Sequence, residues 1–419
     1  MSSPRKVRGK SGKDSERDES NLEDRNFQKP VPSQSNKKES LKKDFEKKIN
    51  SEKVKPPQQN FPQKDYVYLL HKAPGSDSDD NTWLDEFFEM ERDSSETTEP
   101  AGPSKTPSPV LPGEKKIVSE VELDQLSQIR PLILNLNEQA SISDCLKMLK
   151  KKVANFDFIQ EFRDLEHILL PGEFTSGIDP LNKEKNRYRD ILPYDSTRVA
   201  LGKNKDYINA SYIRIVNFEE EYFYIATQGP LPNTIDDFWL MVLENNCNVI
   251  AMITREIEGG NVKCHHYWPY SLKEPLELKH VRIFLENHQI LKYFIIRMLQ
   301  IVKKSTGAAH FVKHLQFTSW PDHGTPASAD YFIKYVRYVR KSHVTGPVVV
   351  HCSAGVGRTG VFICADVVFC AIEKNYSFNI LNIVTQMREQ RYGMIQTKEQ
   401  YQFCYTIVLE VLQKLQTLE

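Results

Sequence analysis

Residues 347 to 369 constrain the fold of this chain more than any other stretch. Pro347-Val348-Val349-Val350 is a short β-branched run suited to a buried strand. His351 to Gly360 is a turn of small residues containing Gly355, Gly357 and Gly360. Val361 to Phe369 is long and apolar enough for a buried helix. A strand, a glycine-rich turn and a helix N-terminus make an anion cradle, because backbone N–H groups converge there and the helix dipole adds positive potential. Cys352 and Arg358 stand at the two ends of that turn. The field that holds an anion also favours a thiolate over a thiol. A free cysteine titrates near ~8.5, and such surroundings can bring it to roughly 3.5–7.5. A planar guanidinium can grip two phosphate oxygens at once. One loop therefore carries a nucleophile, an oxyanion cradle and a two-point phosphate clamp.

The same glycines also spell the dinucleotide-binding pattern G-x-G-x-x-G after a strand and before a helix. An acid, Glu373, even follows roughly twenty residues on. Context argues against that reading. The acid should end a second strand, whereas Glu373 continues a helical stretch, Ala371-Ile372-Glu373-Lys374, and no valine-rich strand precedes it. A nucleotide site would also leave Cys352 and Arg358 without work to do.

Length, at 419 residues, allows two or three domains, but the composition is uneven. Lys+Arg and Asp+Glu balance at 56 each, so net charge gives no argument for nucleic acid or a membrane surface. The cysteines, Cys145, Cys247, Cys264, Cys352, Cys364, Cys370 and Cys404, are odd in number, scattered and without a C-x-x-C pair. That disfavours a disulfide framework or a structural zinc site and suits a reducing compartment. His265-His266 is adjacent rather than at ligand spacing, so no metal is expected. The first residues lack the apolar core of a signal peptide, and no apolar run is long enough to span a bilayer. The expectation is a cytoplasmic protein.

Residues 1–125 read as a disordered tail, rich in Lys, Glu, Asp, Ser and Pro and poor in apolar periodicity. Its basic pairs, Lys37-Lys38 and Lys42-Lys43, fit a solvated tail better than a nuclear signal, which stays as the second reading. After the acidic patch Asp77 to Asp80 come Trp83, Leu84, Phe87 and Phe88, which would share one face of a short helix. Such a segment suggests a docking motif for a protein partner, against a chance cluster as the plain alternative. Thr106-Pro107 and Ser108-Pro109 have the form of proline-directed phosphorylation sites, a form common in tails.

Residues 126–156 read as a linker or helical lead-in, and 157–419 as one sizeable α/β domain, probed by apolar spacing from Phe158 to Leu169 onward. Strands are expected at 223–227, 248–253, 293–299 and 312–317, and a helix at 332–339. Within that span six ordered motifs recur: Lys185 to Asp190, Asp206 to Ile213, Thr227 to Pro230, Trp320 to Gly324, His351 to Gly360 and Gln396 to Gln400. With these the chain resembles the intracellular, tyrosine-specific, cysteine-based protein-tyrosine phosphatases of the non-receptor kind. The resemblance covers about residues 160 to 415 and implies a twisted mixed sheet flanked by helices.

It also implies roles. Cys352 would attack phosphorus and form a cysteinyl-phosphate. His351 would orient and stabilise the thiolate, Thr359 would offer its hydroxyl when sulfur leaves, and Arg358 would clamp the phosphate. The substrate phosphate would lie against Ser353, Ala354, Gly355, Val356 and Gly357. Asp322, in a turn able to close over substrate, would protonate the departing tyrosine oxygen and later deprotonate water, a transfer worth typically ~10²–10⁴-fold. Gln396 would place that water, with Gln400 beside it. Tyr188 would wall a pocket too deep for phosphoserine, and Asp190 would bind the substrate backbone. Lys263 would contact Asp322 or the phosphate, and Glu258 would brace Arg358. No cofactor is implied, the partners would be phosphotyrosyl proteins, and a monomer is expected. Two places depart from the pattern: Thr325 stands where a small apolar residue is expected, and Tyr392 beside Gly393 would narrow the rim. The competing readings are a catalytically weak phosphotyrosine-binding or adaptor protein acting through its tail, and a dual-specificity or lipid phosphatase. The complete Cys352–Arg358–Asp322 set weighs against the first, and Tyr188 with the Asp206 to Ile213 stretch against the second.

Overall fold

The computed structural model describes residues 116–130, 136–168, 172–321 and 324–417. The Trp83–Phe88 cluster, the Thr106 and Ser108 sites and Asp322 lie outside the described residues.

Three helices come first: α1 (Glu120–Ser127), α2 (Leu136–Ala154) and α3 (Asp157–Glu166). Then follow β1 (Arg198–Leu201), β2 (Asp206–Asn217), β3 (Glu220–Thr227), α4 (Ile235–Glu244) and β4 (Val249–Met252). A small hairpin, β5 (Ile257–Glu258) with β6 (Asn261–Val262), precedes β7 (Leu276–Glu277), β8 (Val281–Ile290), β9 (Phe294–Lys303) and β10 (Ala309–Phe317). The chain ends with α5 (Asp330–Ser342), β11 (Val348–His351), α6 (Gly357–Glu373), α7 (Ile380–Gln390) and α8 (Lys398–Thr417).

Among the described residues, nine strands pair into one mixed sheet of order β1-β2-β3-β11-β4-β10-β9-β8-β7. The centre is parallel: β11 lies between β3 and β4, and β4 pairs with β10 in the same sense. The flanks are antiparallel. Parallel strands need both faces covered, and period-two side chains supply two apolar faces. Tyr224, Ala226, Val249, Ala251, Val348 and Val350 point into the larger core with α5, α6, α7 and α8. Their neighbours Ile225, Ile250, Met252 and Val349 pack against Phe238 and Trp239 of α4 and against Tyr267 and Trp268 on the other face. In an open α/β sheet, ligands bind outside the carboxyl ends of parallel strands. Here those ends are Thr227, Met252 and His351, side by side in register.

The strands expected at 223–227, 248–253, 293–299 and 312–317 and the helix at 332–339 are all present. The packed part of the chain starts earlier than residue 126, however. Val118, Leu123 and Ile129 are buried, and α1 lies against α5. Ser119 caps α1 by accepting from Glu122 N, and Glu120 and Glu122 in the first turn suit the helix dipole. Gln289 of β8 accepts from the N–H groups of Ile117 and Val118 and donates to Val118 O. Between Gly113 and Asp124 the apolar residues are Ile117, Val118, Val121 and Leu123, a run too short beside a long polar stretch to mark a helix, so sequence reasoning assigned it to the tail.

Candidate active site

The loop 352–356 is shaped by what its carbonyls touch. His351 Nδ1 approaches Cys352 O at 3.1 Å, and Gly229 N donates to Ser353 O at 3.0 Å. Arg391 donates to Ala354 O and Gly355 O at 3.1 and 3.0 Å. Ile395 N and Gly360 N both donate to Val356 O. Every carbonyl from Cys352 to Val356 is thus satisfied by groups outside the loop. A trans peptide sets its N–H opposite its C=O, so turning the carbonyls outward turns the amides of 353–357 inward. No side chain caps α6, which leaves its first N–H groups facing the same space. The cradle expected from sequence therefore has a specific origin: a ring of donors that pins the carbonyl side.

Gly355 makes the loop possible. Its φ of +74° is left-handed, and a Cβ there would lie 2.1 Å from Thr227 O. Gly229 serves on the neighbouring strand end, where a Cβ would meet Lys263 O at 2.9 Å and Cys352 O at 3.0 Å.

At the centre, Cys352 is 5% exposed. Its sulfur accepts from Gly355 N at 3.3 Å and from the buried Thr359 hydroxyl at 3.4 Å. Arg358, from the first turn of α6, meets Glu258 two-point: Nη1 to Oε1 at 2.7 Å and Nη2 to Oε2 at 2.8 Å. It also donates to Ile253 O and to Pro321 O at 3.3 and 3.4 Å, and lies 5.5 Å from the Trp320 ring. Glu258 occupies the Nη1–Nη2 end of the guanidinium, so an oxyanion reaches Arg358 at Nε and at the Nη2 proton that otherwise meets Pro321 O. Burial alone would raise the Glu258 carboxyl, but the hydrogen bonds and charge of Arg358, with the Arg255 N–H and the Thr254 hydroxyl, outweigh it and hold the group below the usual carboxylate range.

A pocket of about 260 Å³ opens over this loop, lined among others by Tyr188, Asp190, Lys263, Cys352, Arg358, Gln396 and Gln400. Ser353 Oγ donates to Lys263 O at 2.9 Å, so Tyr188 must donate its own proton to Ser353 Oγ, at 2.8 Å. That bond fixes the Tyr188 hydroxyl beside the loop, where the residue lines the pocket. Gln400 Oε1 accepts from Gln396 N at 2.9 Å and its amide covers Gly357. Trp320 Nε1 donates to Gly324 O at 3.2 Å, fastening the two ends of the segment that carries Asp322.

Cys352, Ser353, Ala354, Gly357, Arg358, Tyr188, Asp190, Lys263, Glu258, Gln396 and Gln400 thus meet at one pocket. The family model described as protein-tyrosine phosphatase matches residues 182–410. The chain belongs to the protein-tyrosine phosphatase family. It is 67% identical to tyrosine-protein phosphatase non-receptor type 20 of Homo sapiens and 65% identical to that of Rattus norvegicus, each over the whole of both chains. It is 37% identical to tyrosine-protein phosphatase non-receptor type 13 of Homo sapiens over 82% of this chain and 13% of that longer one. The chain is therefore a hydrolase of the non-receptor class.

Sequence reasoning missed Arg391. It is fully buried, and besides the loop carbonyls it donates to Asn209 Oδ1 and Ser211 Oγ. Burial draws it down to about 10, against the charges of Tyr207 and Cys352, which raise it. In sequence it ends a charged helix, where a solvated side chain is the ordinary expectation, and nothing local signals otherwise. Asn186 and Arg187, quoted above for their motif, turn out to be framework. Asn186 accepts from Tyr207 and Asn209, and Arg187 donates to Gly229 O and Pro230 O. Among the described residues no group of three or more His, Cys, Asp or Glu gathers as a metal site, and no helix is long and apolar enough to cross a membrane.

Proposed function

We propose that the chain hydrolyses phosphotyrosine in proteins through a cysteinyl-phosphate. The observation that carries this reading is the Cys352 sulfur set within the inward amides of 353–357, beside an Arg358 that Glu258 holds by its far end, with Nε and the Nη2 proton weakly engaged by Pro321 O turned toward an oxyanion. The substrate phosphate takes the cradle and its ring passes Tyr188. Cys352 sulfur forms the S–P bond as the P–O bond to tyrosine breaks, and Asp322 gives its proton to the departing oxygen. Arg358 and the amides hold the equatorial oxygens as charge moves across phosphorus. Water, placed by Gln396 and Gln400, then attacks phosphorus and gives a proton to Asp322. Sulfur leaves as thiolate, eased by the Thr359 hydroxyl. Lys263 adds positive charge at the mouth, and Asp190 takes the substrate's backbone N–H.

The same reading assigns residues 1–115 and the Trp83–Phe88 segment to partner docking rather than chemistry, in a monomer of the cytoplasm with nuclear entry as its variant. Turnover of phosphotyrosyl, phosphoseryl and phosphoinositide substrates compared side by side tests the substrate class. The expected result is phosphotyrosine turnover that persists in chelator, is inhibited by vanadate and disappears in Cys352→Ser. Comparable phosphoserine or phosphoinositide rates, or turnover surviving Cys352→Ser, would overturn it.

A further inference from the structure

A line of buried polar side chains runs from the nucleophile into the sheet, and beyond His351 it has no part in the chemistry above. His351 Nδ1 is 3.1 Å from Cys352 O, and His351 Nε2 is 2.7 Å from Tyr267 Oη. The same Oη is 2.9 Å from His314 Nε2, and His314 Nδ1 is 3.4 Å from Arg297 Nη1. Tyr267, His314 and His351 have no exposed surface. The four come from β9, β10, the segment before β7 and the end of β11. Arg297 is held in place by the Trp268 face at 4.4 Å and by Gln316 Oε1 at 2.9 Å.

Both imidazoles are neutral near pH 7. Burial draws His351 down to about 4, with the Cys352 carbonyl bond raising it in part and Arg187 lowering it further. Burial, then the charges of Arg297, His351 and His266, hold His314 well below the usual histidine range. A neutral imidazole carries one N–H. A carbonyl only accepts, so the His351 proton sits on Nδ1 and its Nε2 is bare. The single Tyr267 proton must point at that bare nitrogen. His314 then has to donate from Nε2 to the Tyr267 oxygen, which leaves its Nδ1 bare. Opposite that nitrogen stands Arg297, which only donates. The carbonyl at one end and the guanidinium at the other impose the same direction independently.

We infer that Arg297 and His314 are positioning residues for Cys352: a one-way donor chain through Tyr267 and His351 holds the Cys352 carbonyl out of the cradle and stabilises the thiolate facing it. Donors aligned head to tail polarise one another in a low-dielectric interior. Each link therefore strengthens the last bond, and a cation ends the chain. The inference rests on Cys352 being the nucleophile proposed above. Other charged or titratable groups face the chain, among them Arg187, Glu256 and His266. Arg358, Glu258, Lys263, Asp190 and Arg391 surround the sulfur. All of these stay constant across the variants below, so a difference among variants belongs to the chain.

The test is the rate of Cys352 alkylation by iodoacetamide as a function of pH, read by mass spectrometry on the full chain. Because alkylation is read at Cys352 itself, its outcome is separate from whether Cys352→Ser abolishes turnover. Tyr267→Phe and His314→Phe should each move the midpoint up by about half a pH unit to one unit, the size set by the net worth of one hydrogen bond. His314→Gln, whose amide can still donate to Tyr267, should return toward the unsubstituted chain. The double variant Tyr267→Phe/His314→Phe should match Tyr267→Phe alone, because His314 acts only through that hydroxyl. Where His314→Phe does not fold, His314→Asn, too short to reach Tyr267, takes its place in both comparisons. An unmoved midpoint in folded single variants, or an additive double variant, would overturn the inference and leave these side chains a structural role alone.

Discussion

In the proposed mechanism Arg358 can serve as a clamp only while Glu258 holds it. Its side chain is 2% exposed and that of Arg358 15%, so water screens the pair little. Removing one partner of a buried pair costs about 3–5 kcal/mol, because the other charge stays behind uncompensated. Glu258→Gln should fall near the lower end of that range, since the amide can still accept one bond. It should also lower kcat/KM by roughly 10–100-fold, because a clamp displaced by about 1 Å forfeits oriented binding. The pH dependence gives the mechanism away. A carboxyl held below its ordinary ~4.3 contributes stability above that value and loses it as pH falls through the folded one. The difference in urea midpoint between Glu258→Gln and the unsubstituted chain should therefore be full at pH 7 and close as pH drops below about 4. A difference that persists undiminished into acid would mean that the ionised carboxylate is not what holds Arg358.

The unit β11–loop–α6 shows which part of the site the sequence could announce. Valines, glycines and an apolar run are local signals, and strand, turn and helix fall where they indicate. The direction of the loop's carbonyls is not local. It depends on Gly229, Arg391 and Ile395, contributed from 36 to more than 100 residues away in the chain; Gly229 falls in a motif that does not disclose this task, and Arg391 and Ile395 fall in none. The same holds for His314 and Arg297, which sheet register pairs, and for Tyr267, which reaches His314 from the segment before β7. Motif reading quoted Gly229 without disclosing its task and gave no sign of Arg391, Tyr267, His314 or Arg297, because contacts to the backbone behind the loop are made across the fold and not along the chain. Gly355→Ala tests this element. The added methyl would meet the Thr227 carbonyl at 2.1 Å, where strand pairing allows no retreat, and a φ of +74° is costly for alanine. Turnover should fall by at least about 100-fold, since the amides around phosphorus move together. Thermal unfolding should show a loss of roughly 1–3 kcal/mol. An alanine variant with unchanged kcat would mean that the loop reaches its catalytic shape by some route other than the one drawn from Thr227 and Arg391.

At the scale of the molecule the question is where the phosphatase domain begins. The family model starts at residue 182, yet packed structure reaches back to Val118. Asp124 pairs with Lys334 at 2.6 Å, Glu122 pairs with Lys341, and Gln289 binds the backbone of Ile117 and Val118. Lys334 and Lys341 both belong to α5, the helix that follows the segment carrying Asp322. A cut at residue 125, the boundary that composition alone gives, would pass through the middle of α1. Removal of residues 1–115 should leave both thermal stability and kcat/KM on a small phosphotyrosine analogue unchanged, because that stretch is too poor in apolar residues to build a core and every proposed site residue lies at Tyr188 or beyond. Removal of 1–130 strips Val118, Leu123 and Ile129 from the core. Each such side chain is worth about 1.5–3 kcal/mol on full burial. The loss should appear as a stability deficit of several kcal/mol, discounted for the order the segment no longer has to acquire. Because α5 loses its cover and two ion-pair partners, kcat should fall as well, by a few-fold, with the KM of a small analogue little changed. A 1–130 deletion as stable and as fast as the full chain would place the functional boundary of the domain beyond residue 130 and make α1 a passive addition.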